Sequence, residues 1–257
     1  MCIDEILARL ERILGRMAGQ SPTALTTGGP FSEKAIFIWC YWDVYGGDVA
    51  KIAQALVAAN FEAAYVHTND GPFEGAYSGK INCTPALVQA LKAAGLKVYG
   101  WGAPYGTNLQ GELNMMVSQT ARYGLAGYVI DAETTWDAHP NAAADSEWLT
   151  SEYKRLTGQP VAWCWWPFYQ SSTGTPWHPK AVLQAGMKYA DVGMPMAYWE
   201  GDTATQATTY LSNCIAQWRA VTSKPLIPAG RAWTGDGGSA TRAAVLASAA
   251  AVLNDDE

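Results

Sequence analysis

Residues 127–133 read Gly-Tyr-Val-Ile-Asp-Ala-Glu, a short apolar run that ends in two acids spaced i, i+2. A strand alternates its side chains with period two, so Asp131 and Glu133 point to one side of a sheet at the strand's end. A carboxyl kept protonated can give its proton to a leaving oxygen while a second group stabilises the cation left behind. That is the inventory glycosidic cleavage asks for. The alternative for an isolated Asp-x-Glu is a helix cap or plain surface charge. The surrounding chain has to decide between them.

From Lys34 onward, apolar strand-like runs alternate with helical segments. The pattern predicts strands over 35–41, 63–67, 97–101, 126–131, 161–166, 192–198 and 226–232. It places helices near 48–60, 84–95, 109–124, 143–157, 179–189, 203–222 and 239–254. Strands this uniformly apolar suit a parallel sheet covered on both faces, and a βα repeat of roughly 30 residues is the period of a (β/α)8 TIM-type barrel. The expected class is therefore α/β. A doubly wound open sheet is the alternative, but no G-x-G-x-x-G or Walker-type loop follows the first strand, which weakens its nucleotide-binding version. About seven βα units are visible before Asp255-Asp256-Glu257. Either seven strands close the barrel or a further segment completes it.

In such a barrel the chemistry sits at the C-terminal ends of the strands. Asp43 falls after the first strand, His67 and Asp70 after the second, and Trp101 and Tyr105 after the third. Asp131 and Glu133 follow the fourth, Trp165 and Trp166 close the fifth, Tyr198, Trp199 and Glu200 close the sixth, and Arg231 and Trp233 the seventh. One rim thereby collects acids and aromatics. Flat rings there can stack on sugar faces, and the alternative for Tyr198 and the tryptophans is packing inside the barrel.

Composition narrows the partners. The 257 residues carry a net charge of −6 without clustered Lys and Arg, which argues against nucleic acid. No apolar run is long enough to span a membrane, and the opening Met-Cys-Ile-Asp-Glu lacks the pattern of a signal peptide. Five cysteines lie far apart with no C-x-x-C, so free thiols are expected. His67, His139 and His178 are too scattered for a metal site, and each is expected to make a satisfied polar contact. No metal and no cofactor is expected. Neither a G-x-S-x-G elbow nor a phosphate cradle is present, and Gly235-Asp236-Gly237-Gly238 is best taken as a loop before a helix cap at Ser239.

Residues 3–17 form a separate unit. Ile3, Leu7, Leu10, Leu14 and Met17 step by 4, 3, 4 and 3, the seam of a coiled coil, which Ile6 and Ile13 widen. The expected role of 1–18 is oligomerisation or docking onto a larger assembly, the alternative being a helix lying on its own domain. Residues 19–33, with Ser21-Pro22 and Gly28-Gly29-Pro30, are expected to be a linker, and 34–257 the barrel domain.

At these residues the chain resembles TIM-barrel glycoside hydrolases. Ile130-Asp131-Ala132-Glu133 is similar to the D-x-E strand end of lysozyme-type family 25 enzymes and to the second half of the family 18 chitinase signature D-x-D-x-E. Met194-Pro195-Met196-Ala197-Tyr198-Trp199 is similar to the M-x-Y element of family 18. Two departures stand out: Val129 occupies the place of the first family 18 acid, and the family 25 opening D-x-S has no match, Asp43 being the nearest acid. The resemblance implies a glycan substrate of the peptidoglycan or other N-acetylated class. It implies Glu133 as general acid, Asp131 as oxocarbenium stabiliser or orienter of a substrate acetamido group, and Tyr198 as hydrogen-bond partner of that group. Asp43, Trp101, Trp165, Trp199, Glu200 and Trp233 are the expected substrate contacts. With the amino-terminal helix, it further suggests a virion-attached, phage tail or spike enzyme, extracellular without a cleaved signal; a cytoplasmic location is the alternative. A barrel that binds glycan or serves structurally without cutting it is the alternative function.

Overall fold

In the computed structural model of this chain the described residues are 29–198 and 203–230. The helices expected over 3–17 and 239–254, and Trp199, Glu200, Arg231 and Trp233, lie outside them. In chain order the strands are β1 (Ala35–Ile38), β2 (Ala63–Asp70), β3 (Phe73–Glu74), β4 (Ala76–Tyr77), β5 (Lys80–Ile81), β6 (Lys97–Ala103), β7 (Tyr128–Asp131), β8 (Val161–Trp165) and β9 (Val192–Pro195). The α-helices are α1 (Val49–Ala58), α2 (Pro85–Ala93), α3 (Leu109–Tyr123), α4 (Ala142–Thr157), α5 (Lys180–Tyr189) and α6 (Ala204–Arg219).

The main sheet runs β1-β2-β6-β7-β8-β9 with every neighbour parallel. Beyond β9, Gly193 bridges to Leu226 in parallel, and Ile227 and Ala229 donate backbone bonds to Gly193 and Pro195. Residues 226–229 thus take the seventh strand position, where the sequence places a strand.

Alternation splits each strand between two packing layers. Tyr128, Ile130, Trp163 and Trp165 face the helices, joined by Trp136 and Trp218. Tyr65, Tyr99, Val129, Ala162, Cys164, Val192 and Met194 meet in one cluster on the opposite face. A flat sheet could not bring side chains from its separated strands together in this way, so the sheet is curled around them. Local chemistry sets the helix ends: Asp48, Thr84 and Asn108 accept the backbone N–H of Lys51, Leu87 and Gly111, and Thr203 with Gln206 forms a capping box.

The floor of the barrel, at the N-terminal ends of the strands, is closed by residues expected in the linker. Phe31 is 0% exposed and stacks on Tyr99 at 4.5 Å between ring centroids, while its backbone N–H donates to the Tyr99 hydroxyl at 3.2 Å. Glu33 accepts from that hydroxyl at 2.9 Å and pairs with Lys97 at 2.7 Å. Phe31 and Glu33, at the end of the expected linker, thus pack against the starts of the strands.

Three further differences are local. The first strand stops at Ile38 instead of 41, because its register with β2 ends at Ile38–Val66 and β2 is bulged between His67 and Asn69. The sixth expected strand stops at Pro195, where its partner β8 ends at Trp165. The second continues to Asp70, and a small antiparallel excursion, β3 to β5, follows it.

Candidate active site

Asp131 is the last residue of β7, and Glu133, two positions on, keeps an extended backbone (φ −116, ψ −156). Val129 lies on the inner face while Tyr128, Ile130 and Ala132 face the helices. The same alternation carries Asp131 and Glu133 inward, toward the C-terminal end of the barrel.

The Asp131 carboxyl is buried, with Oδ1 lacking any hydrogen-bond partner. Burial pushes its pKa up to about 7; the nearby Glu133 charge adds to the rise, and a hydrogen bond with Cys164 opposes it. Glu133 is exposed at the rim, yet its pKa is also raised, first by desolvation and then by the charge of Asp70. Tyr198 packs on the inner cluster, and its phenol is pushed upward by burial and by the charges of Cys164, Asp131 and Glu133. The structure thus gathers Asp131, Glu133 and Tyr198 in one electrostatic neighbourhood.

The expected substrate contacts fall out differently. Trp101, on β6, is part-buried on the inner face, 4.3 Å from the His67 ring and 5.8 Å from Phe37, with its indole N–H donating to the Ile38 carbonyl at 3.2 Å. Asp43 sits exposed on the 3-10 turn Tyr41–Asp43, where its charge bears on the Cys40 thiol. Trp165 is a correction: it faces the helix layer at 0% exposure and cannot offer a ring face to a sugar. Its neighbour Trp166 instead stacks on His178 at 4.7 Å, and His178 bonds Asp137 at 2.8 Å. Trp199, Glu200 and Trp233 lie outside the described residues.

All three histidines bond carboxylates: His67 to Asp70 at 3.2 Å, His178 to Asp137, and His139 to Asp145. Among the described residues no group of three His, Cys, Asp or Glu is placed to hold a metal ion.

Two features had no signal in the motifs. Asp70, named on the rim but given no role, adds to the rise that desolvation gives the Glu133 pKa. Behind it, Thr68 Oγ1 bonds the Tyr128 hydroxyl at 2.8 Å and the Trp101 carbonyl at 3.1 Å, and the Tyr128 hydroxyl donates to Asn69. This buried network fastens the ends of β2, β6 and β7 to one another. It requires Gly102, where a Cβ would lie 2.5 Å from both Asn69 Oδ1 and the Tyr128 hydroxyl. The polar run His67-Thr68-Asn69-Asp70 was its only trace in the sequence.

No protein-family model matches the chain, and no curated protein matches it by sequence. Solved structures do match. A GH18 chitinase from Pseudoalteromonas aurantia aligns over 76% of this chain and 78% of its own, with a TM-score of 0.53 and 12% identity. A chitinase from Chromobacterium violaceum aligns over 76% and 67%, with a TM-score of 0.55 and 14% identity. The spore cortex-lytic enzyme SleL of Bacillus megaterium aligns over 93% of this chain but 65% of its own, with a TM-score of 0.55 and 12% identity. The chain thus spans just under two thirds of that enzyme's length. At such identities the likeness is one of fold, and the fold is an α/β barrel of the TIM type that glycoside hydrolases use.

Proposed function

We propose that this chain hydrolyses glycosidic bonds in peptidoglycan or a related N-acetylated glycan. The observation that carries the proposal is the buried Asp131 carboxyl, raised to about 7 on the inner face beside Glu133. Both carboxyls are raised by desolvation, and perturbed titratable groups gathered in one site are the mark of acid–base chemistry. Glu133, open to the rim and raised above the ordinary carboxylate range, protonates the leaving oxygen. Asp131 stabilises the oxocarbenium ion or orients the substrate acetamido group, and Tyr198 hydrogen-bonds that group. Release of reducing ends from cell-wall and chitin-type polymers, compared between the native chain and Glu133→Gln, tests the assignment. Equal release by both removes Glu133 from the acid role.

A second function is favoured by one residue. Val129, fully buried beneath Asp131, occupies the place where family 18 carries another acid, and Asp131 Oδ1 is left without a partner. A barrel so altered binds glycan without turning it over. Glycan-dependent quenching of Trp fluorescence with no product over long incubation supports this function, and turnover abolished by Asp131→Asn refutes it.

The amino-terminal apolar seam supports a tether as part of the same proposal. Residues 3–17 dock the barrel to copies of itself or to a larger assembly such as a virion, and that assembly carries it to the cell wall.

A further inference from the structure

The bulge in β2 turns His67 and Asp70 to the same side of the sheet. His67 is 1% exposed; its ring lies 4.3 Å from that of Trp101, and its Nε2 bonds Asp70 Oδ1 at 3.2 Å. A carboxylate oxygen accepts, so the ring proton stands on Nε2 and Nδ1 must accept in turn. Its donor is the side-chain amide of Asn82, 0% exposed, at 2.5 Å. Asn82 thus sets the tautomer, and the tautomer aims the Asp70 carboxyl.

The backbone around Asp70 is fixed as well. Asn69 Nδ2 donates to the Gly71 carbonyl at 2.9 Å, and the Gly71 N–H donates to the Ala103 carbonyl at 2.8 Å. Gly71 sits at φ +51, and a Cβ there would lie 2.7 Å from the Tyr105 ring. The carboxyl that all of these contacts hold is itself 37% exposed.

Register places that carboxyl in the mouth of the barrel. Asp70 pairs with Ala103 on β6 and Gly102 pairs with Ile130 on β7, so one step further Ala103 adjoins Asp131. Two strand spacings, about 10 Å between Cα atoms, separate Asp70 from Asp131, with only the methyl of Ala103 between them on β6. Across that methyl, Asp131 Oδ1 is buried without a hydrogen-bond partner. Among the described residues no Lys or Arg forms an ion pair with Asp70, Asp131 or Glu133. Lys97 and Lys154 make theirs at the opposite pole, where strands begin. A fixed carboxylate that lacks a protein cation suits a ligand that brings one. In an N-acetylated glycan that cation is the C2 ammonium left where an acetyl group is missing.

We propose that Asp70, aimed by His67, receives the C2 ammonium of a de-N-acetylated pyranose beside the unit held at Asp131 and Glu133, so that the chain favours partly de-N-acetylated glycan. Asp70 touches the substrate, and His67 is a positioning residue. The inference rests on the glycosidase assignment above. The test compares kcat/KM for reducing-end release by the full chain on the hexasaccharide of N-acetylglucosamine and on partly de-N-acetylated hexasaccharides. The native chain should favour the second, and Asp70→Asn should lower the ratio of the two values roughly tenfold, the worth of one charge-assisted hydrogen bond. His67→Leu should lower it likewise, while His67→Gln, whose amide can still donate to Asp70, should keep most of it. A merely structural loss would lower both values together and leave the ratio alone. Titration of the full chain carrying Glu133→Gln, followed by Trp fluorescence, reads the same ratio as dissociation constants. An unchanged ratio in Asp70→Asn, or a native chain that favours the acetylated oligomer, overturns the inference and leaves the glycosidase assignment standing. If the native chain cuts neither oligomer and Glu133→Gln binds neither, the glycosidase assignment itself falls, and the inference with it.

Discussion

Asp131 on β7 and Cys164 on β8 are register partners, and their side chains meet on the inner face with the thiol hydrogen-bonded to the carboxyl. The thiol is a weak donor, so it offsets only part of the rise that burial gives the carboxyl pKa.

The first prediction follows from the sign of that shift. The folded Asp131 pKa is about 7 against the ordinary 3.8 of the unfolded chain, so between these values the folded state binds more protons than the unfolded one. Stability therefore falls as pH rises through that window, by at most about 4 kcal/mol. Asp131→Asn removes the ionisation and should raise the melting temperature at pH above 7, with the advantage vanishing near pH 4, on the order of the window's two ends. Cys164→Ala should move the Asp131 titration, followed by NMR, to higher pH. A melting difference independent of pH would contradict the buried carboxyl.

Two tryptophans one residue type apart in role separate rim from core. Trp165→Ala should cost roughly 3–5 kcal/mol of stability, since it empties a fully buried site. At a temperature where it remains folded its KM should match the native value. Trp101→Ala, on the inner face, should raise KM for glycan with a smaller loss of stability. Unfolding curves and steady-state kinetics on the same preparations decide it.

Gly102→Ala tests the polar network behind the site. The added methyl meets Asn69 and Tyr128 at 2.5 Å, and overpacking of this kind costs about 1–3 kcal/mol. Because the same network fixes the end of β2, kcat should fall as well. Thermal unfolding with intact activity would show that the network is not needed to hold Asp70.

The floor residues and the seam make paired predictions. A chain starting at Phe31 should melt like the full chain, while one starting at Lys34 loses the Phe31–Tyr99 stack and the Glu33–Lys97 pair and should melt lower. In light scattering, the full chain should self-associate or bind its partner assembly, and both the Phe31 start and a Leu10→Asp, Leu14→Asp double mutant should not. Three monomers with the same melting behaviour would exclude self-association.

The elements that could be located from sequence are those whose signal is a period. Strands such as β8 and helices such as α3 announce themselves by unbroken apolar runs and by caps, and Asp131 and Glu133 by their i, i+2 spacing. Trp165 shows where that logic stops. Residues 161–165 read Val-Ala-Trp-Cys-Trp and are buried on both faces, so composition alone does not say which ring looks inward. The two-residue strands β3, β4 and β5 are too short for any period, and their placement depends on Gly75 and Asn82 meeting His67, contacts between residues distant from any motif. Phe31 was likewise hidden, because one aromatic after Gly28-Gly29-Pro30 has no pattern around it.

The Phe31 floor also gives the barrel a direction. Phe31, Glu33 and Lys97 seal the pole where strands begin, whereas Asp131 and Glu133 lie at the pole where strands end. The polypeptide thus enters at the stern of the barrel, and the proposed chemistry lies at the bow. Under the docking proposed for residues 3–17, a load on the chain ahead of Phe31 bears on the sealed pole and leaves the opposite one clear.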